Sequence, residues 1–165
     1  MLKYKVKFEK NGYLAKTTIY EKQVEQEGVF EIQTLLTKID VGADLGKLIN
    51  IKPIYFNVGK WNIRPDAAIE LDKIVGVMIE NPSMEIELGS HTDSRGSASS
   101  NMRLSDRRAK SSAKYIKDRI PKPERITGKG YGEEQLLNKC KDGVPCSKEE
   151  HQLNRRTEFK IIKMN

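Results

Sequence analysis

The sequence predicts an α/β sandwich, with helices on one face of a mixed sheet in the order strand, helix, strand, helix, strand, strand. Three observations carry this. Met84, Ile86 and Leu88 alternate with Glu85 and Glu87, the period of a half-buried strand. Two helical patterns flank it: Leu71, Ile74, Val75 and Met78 recur at i, i+3, i+4, i+7 before it, and Met102, Ala109, Ala113, Ile116 and Ile120 form a stripe after it. Near the C-terminus, Phe159 and Ile161 alternate with Glu158 and Lys160 as a last strand over 157–163.

Taken in order, residues 1–45 read as β. Residues 3–9 and 13–20 flank Asn11-Gly12, the strongest short hairpin signal, and 29–36 reads as a third strand. Three strands are few for independent stability. The stretch is either the tail of a β-sandwich, resembling carboxypeptidase-regulatory-like modules, or an embellishment packed on the main domain. Val41-Gly-Ala-Asp-Leu-Gly46 reads as a linker, which divides the chain into 1–46 and 47–165. Residues 48–56 read as the first strand of the main domain, with Pro53 near its edge or start. A helix over 65–81 starts with Pro65 at its first position and stops at Pro82, although Arg64 is a poor cap. The second helix runs from about Ser99 to Arg119, ended by Pro121 and Pro123. Arg125-Ile-Thr-Gly-Lys-Gly-Tyr-Gly132 reads as a short strand leaving into a glycine-rich turn.

An insertion follows with Cys140 and Cys146 around turn-prone Lys141-Asp-Gly-Val-Pro145. Two cysteines in a compact polar loop point to one disulfide in an oxidising compartment. The alternative is a metal pair with His151, but a structural zinc takes four protein ligands and the chain holds no other cysteine.

Composition narrows the function classes. At 165 residues, with 37% hydrophobic and 32% charged residues, the chain suits one globular domain or one domain plus a fragment. It lacks the run of about 18 apolar residues that a membrane-spanning helix needs. Met1-Leu-Lys-Tyr-Lys-Val-Lys is a strand pattern, not a signal peptide. Residues 1–46 carry 7 Lys and 7 acidic residues, so the whole net charge of +7 lies in residues 47–165. A basic domain suits nucleic acid or an anionic polymer. The chain shows no nucleic-acid motif, and its aromatics do not cluster with its basic residues.

The chemistry concentrates where the strand over 84–88 runs out into Gly89-Ser-His-Thr-Asp93. The crevice beyond the carboxyl end of a strand is the usual ligand position in α/β sheets. On the helix that follows, Asn101, Leu104 and Arg108 are spaced i, i+3, i+7 on one face, apart from the apolar stripe. Arg binds a carboxylate in a bidentate fork and Asp pairs with an ammonium, so Asp93 and Arg108 suit an amino-acid head group. They equally suit pairing with each other. His91 beside Asp93, with Ser90, Ser94 and Ser97 nearby, invites a catalytic reading. On a strand, however, 91 and 93 share a face while 90 and 92 point away, and no Gly-x-Ser-x-Gly elbow is present.

Four motifs in order resemble one family, the OmpA-like peptidoglycan-binding domain shared with Pal lipoproteins and flagellar-stator proteins. They are Ile54-Tyr55-Phe56; Gly89-Ser-His91-Thr92-Asp93; Asn101-Met-Arg-Leu104-Ser105-Asp-Arg-Arg108-Ala109; and Asn154-Arg155-Arg156. The resemblance covers about residues 47–165. It implies a non-covalent grip, without any reaction or cofactor, on the diaminopimelate residue of uncrosslinked stem peptides. Asp93 would take the ammonium and Arg108 the carboxylate. Thr92, Asn101 and Leu104 would line the pocket, and Arg155 would add a contact. Read from the residues alone, Arg155 and Arg156 are a solvated strand end. The resemblance further implies a periplasmic module that tethers an outer-membrane protein to the cell wall, with its export signal upstream. An alternative role is partner docking through a stator-like module with a weakened pocket. One departure supports that alternative: the family has Asp or Asn just before a Lys after the first strand, and this chain has Gly59 before Lys60.

Overall fold

The computed structural model describes residues 2–22 and 31–164. Its central sheet has β3 (Glu85–His91) in the middle. β4 (Ile126–Gly132) lies parallel on one side and β5 (Thr157–Lys163) antiparallel on the other. The register sets Ile86 beside Ile126 and Ile161, and Leu88 beside Phe159, and all five are fully buried. Against this face pack α2 (Pro65–Glu80) and α3 (Ala98–Lys117), which add Leu71, Ile74, Met78, Ala109, Ala113 and Ile116 to one core. The alternation leaves Glu85, Glu87, Lys129 and Glu158 on the other face. Helices on one face of a mixed sheet are what the sequence predicts.

The helix boundaries agree to within two residues. Arg64 does not cap α2; it grips Asp66 of the first turn through Nε and Nη2, at 3.0 and 3.1 Å. The α3 stripe is rotated from the predicted one. Asn101, Ser105, Ala109, Ser112, Ala113 and Ile116 are buried, whereas Met102 is only half-buried. Asn101 therefore sits on the buried side of the helix. Of the glycines of β4, Gly132, at φ 51°, stands in the predicted turn, where the Glu134 amide donates to the Tyr131 carbonyl at 3.1 Å. Gly128 and Gly130 are strand positions that face α3, and a Cβ there would lie 2.5 Å from the Ala109 carbonyl oxygen and 2.2 Å from the Asp106 nitrogen. Only a strand without side chains lets α3 approach this closely.

Three expectations near the N-terminus are corrected. First, residues 48–56 form no strand. Asp44 caps a short helix, α1 (Leu45–Leu48), by accepting from the Gly46 amide, and Asn50 takes a left-handed φ of 53°. The Lys52 amide then donates to the Glu70 carboxylate at 2.9 Å rather than to a strand, and Pro53 has no N–H to offer. Second, the edge of β5 is already occupied by the supposed linker: Gly42 N–H donates to the Ile161 carbonyl at 2.7 Å, and Ile161 N–H to Ala43 at 2.9 Å. The division at 46/47 falls inside α1, and Leu14, Ile39 and Leu45 join the main core. Third, the hairpin strands are β1 (Leu2–Phe8) and β2 (Lys16–Lys22), joined by a longer connection than Asn11-Gly12 suggests. Gly12, at φ 77°, turns the chain at Lys10–Tyr13, and the Leu14 amide leaves the ladder to bond the Thr37 carbonyl at 2.8 Å. Of the third strand predicted over 29–36, Val29 and Phe30 lie outside the described residues, and 31–36 form no strand.

The insertion contains a helix the sequence reading passed over, α4 (Lys148–Asn154), opened by a reciprocal capping box between Ser147 and Glu150. Among the described residues no helix is long and apolar enough to cross a membrane.

Candidate functional site

The site grows from the exit of β3. His91 N–H donates to the Arg156 carbonyl at 2.9 Å and Thr92 N–H to Gly132 at 2.8 Å, so both neighbouring strands hold the chain until Asp93. The loop is then pinned from three sides. The Ser94 hydroxyl donates to the Cys140 carbonyl at 2.6 Å, Ser97 caps α3 by accepting from the Ser100 amide, and Gly96 turns at φ 104°. The Asn101 amide donates to the carbonyls of Asp93 and Arg95, at 3.2 and 3.3 Å, and to the Glu133 carboxylate. Asn101 thus lines the cleft while tying the loop to the helix.

Asp93 is 6% exposed, and its carboxylate is already engaged. Oδ1 accepts from the Arg95 amide at 3.1 Å. Oδ2 accepts from Arg95 Nη2 at 2.8 Å and Nε at 3.3 Å, and from Arg155 Nη1. Burial pushes this carboxyl up, but the hydrogen bonds from Arg95 and Arg155 outweigh it and hold the group below its ordinary value. Arg155 also donates to Gln152 of α4.

Arg108 is held differently. Nε donates to the Lys60 carbonyl at 2.9 Å and Nη2 to the Asn57 carbonyl at 3.3 Å, while the guanidinium lies 5.0 Å from the Phe56 ring centroid. No carboxylate among the described residues lies within ion-pair distance of it. Burial lowers its affinity for the proton, Arg155 lowers it further, and Asp93 partly offsets both. Gly59 explains its own departure from the family pattern. At φ 65° it closes the turn in which Lys60 N–H meets the Asn57 carbonyl at 3.0 Å, and that turn aims both carbonyls at Arg108.

All six predicted ligand residues, Thr92, Asp93, Asn101, Leu104, Arg108 and Arg155, line one cleft of about 690 Å³, with Tyr55, Phe56 and Val58 opposite. Asp93 and Arg108 do not pair with each other. Thr92 Oγ1 is buried there with no hydrogen-bond partner among the described residues. The residues that sequence reasoning missed are Arg95 and Gln152. Arg95 reaches Asp93 from two residues away, which no motif marks, whereas the capping box of α4 could have revealed the helix bearing Gln152.

His91 is not arranged for catalysis. Its ring is 2% exposed and stacks on Tyr131 at 5.0 Å and 6°. Neither ring nitrogen has a hydrogen-bond partner among the described residues. Burial and then Arg156 push its pKa down to about 4 against the pull of Glu158, so the ring is neutral near pH 7. Cys140 and Cys146 are joined as a disulfide, with Cα atoms 5.9 Å apart, so they do not form a metal pair with His151.

A cleft of mixed charge thus stands at a strand's exit, built on a braced loop. The chain belongs to the OmpA family, whose model matches residues 55–150. It is 35% identical over 79 residues to outer membrane protein P5 from Haemophilus influenzae, covering 48% of this chain and 22% of that protein. It is 30% identical over 93 residues to the peptidoglycan-associated lipoprotein of Rhizobium meliloti, covering 56% of this chain and 52% of the relative. A crystal structure of a MotB-like protein from Desulfovibrio vulgaris superimposes with a TM-score of 0.58 at 25% identity, over 68% of this chain and 69% of that one. The chain spans between 12% and 52% of the length of the curated relatives it matches.

Proposed function

We propose that this domain binds peptidoglycan non-covalently through the diaminopimelate residue of stem peptides, and so tethers an outer-membrane protein to the cell wall from the periplasm. The observation that carries the reading is Arg108: a guanidinium without a carboxylate partner among the described residues, lining the same cleft as the ionised Asp93. The free end of diaminopimelate has an ammonium and a carboxylate on one carbon. Asp93 takes the ammonium, and Arg108 takes the carboxylate with the donors that its two backbone bonds leave over. Leu104 supplies an apolar wall, Arg155 steadies Asp93, and Thr92 lines the cleft beside it. No bond is made or broken. Kinship with a peptidoglycan-associated lipoprotein supports the same ligand class.

A second reading keeps the fold and makes the cleft a vestige in a partner-docking module. It is favoured by the engagement of Asp93 with Arg95 and Arg155. Calorimetric titration with free meso-diaminopimelate, beside co-sedimentation with purified sacculi, separates the two. Saturable heat and sedimentation support the ligand reading, and silence in both leaves only the docking role. Release of soluble fragments from sacculi would overturn the absence of a reaction.

A further inference from the structure

We propose that the Arg95 side chain is an internal occupant of the cation position on Asp93, displaced when a ligand's ammonium arrives; the proposal rests on the ligand reading above. A carboxylate offers about four acceptor positions. On Asp93 three donors crowd Oδ2, two Arg95 guanidinium nitrogens and Arg155, while Oδ1 accepts the Arg95 amide. An ammonium can reach Oδ2 only where a donor leaves.

The geometry shows which donor that is. The Arg155 side chain is 30% exposed and has a second hold on Gln152 of α4. The Arg95 side chain is 56% exposed and, among the described residues, makes its hydrogen bonds to Asp93 alone. Departure of the Arg95 side chain also leaves the site in shape. Its main-chain N–H still holds Oδ1 of Asp93, and the Asn101 amide still holds the carbonyls of residues 93 and 95. Arg95 is thus a specificity-determining residue: it neutralises Asp93 until a group that can replace a guanidinium arrives. Apparent affinity then falls by the fraction of molecules in which Asp93 is occupied. With the cation of the pair largely exposed, this amounts to about two- to fivefold.

The test is calorimetric titration of meso-diaminopimelate into the full chain and its Arg95→Ala, Arg95→Lys and Arg103→Ala variants, each shown folded by thermal unfolding. Arg103→Ala removes the same charge from α3, where that guanidinium meets the Ser100 hydroxyl instead of Asp93. Arg95→Ala is expected to bind about two- to fivefold tighter. Arg95→Lys should stay near the parent because it keeps a cation there, and Arg103→Ala should be unchanged. Pimelate, which keeps both carboxylates and lacks both amines, should gain nothing from Arg95→Ala. Equal or weaker binding of diaminopimelate by Arg95→Ala, or an equal gain in Arg103→Ala, overturns the displacement while leaving the ligand reading intact. If neither parent nor Arg95→Ala binds diaminopimelate, the ligand reading fails and this proposal falls with it.

Discussion

Asp93 and Arg108 line one cleft without touching each other: Asp93 is held by Arg95 and Arg155, and Arg108 by the carbonyls of Lys60 and Asn57. A pair locked together would have offered a zwitterion nothing. Two opposite charges held apart by separate partners offer it both ends.

Asp93→Ala or Arg108→Ala is therefore expected to abolish co-sedimentation with peptidoglycan while the fold survives. Asp93→Ala leaves two guanidiniums without their carboxylate, and Arg108→Ala gives up two hydrogen bonds and the contact with Phe56. Each should cost about 1–2 kcal/mol of stability. Thermal unfolding and sedimentation of the same preparations check this. A folded variant that still sediments like the parent removes its residue from the grip.

Gly59 offers a gain-of-function test. Among the described residues beyond its two chain neighbours, no atom lies within 4 Å of a Cβ built there, so a substitution meets backbone strain and not a clash. Asn tolerates positive φ better than most residues, and Asn or Asp is what the family pattern has at this place. Gly59→Asn should stay within about 1 kcal/mol of the parent in stability. It should also tighten diaminopimelate binding by up to about tenfold, the value of one added hydrogen bond. Gly59→Val, β-branched at φ 65°, should weaken binding by shifting the carbonyls that orient Arg108. Titration of both variants decides. Two equal affinities would mean that the turn does not shape the site.

The arrangement was legible where it is local. Asp93, Asn101 and Arg108 lie on one strand–loop–helix unit, so spacing alone could place them together. Arg155 lies 62 residues from Asp93, and only the family motif pointed to it. The failure over 48–56 has the same origin. The edge that a first strand would need is closed by residues 42–44, and Asp44 accepts from the Phe159 amide across 115 positions. Local apolar alternation cannot report that competition. The helix α4 is different, because Ser147 and Glu150 announce it at short range.

The disulfide should matter to the site more than to the core. Cys140 presents its carbonyl to Ser94, next to Asp93, and Cys146 adjoins the cap of α4, which carries Gln152 and leads into Arg155. A ring this small adds about 2–3 kcal/mol at most. The Cys140→Ser/Cys146→Ser double variant should lose up to that amount. Amide exchange should rise over 93–97 and 147–156 before it rises in β3 or α3. Unchanged protection in both segments would show that the loop does not depend on the bridge.

His91 sets the acid limit. Its folded pKa of about 4 lies below its ordinary 6.5, so the unfolded chain takes up the proton first. The stability of the neutral, stacked ring is complete above about pH 6.5 and drains away as pH falls to about 4. The charges that meet the proton are Arg156, which opposes it, and Glu158, whose Oε2 lies 3.7 Å from Nε2. Across that pH interval the loss amounts to about 3 kcal/mol. Asp93, also depressed, acts in a lower window: its contribution is full above the ordinary carboxylate value and is lost only as pH falls below it. His91→Phe keeps a ring against Tyr131 but cannot titrate. Urea unfolding at steps from about pH 7 to pH 3 should show stability falling less steeply in this variant than in the parent down to about pH 4, while a fall below about pH 4 persists in both. Parallel curves for the two proteins throughout would clear His91 of any part in the acid limit.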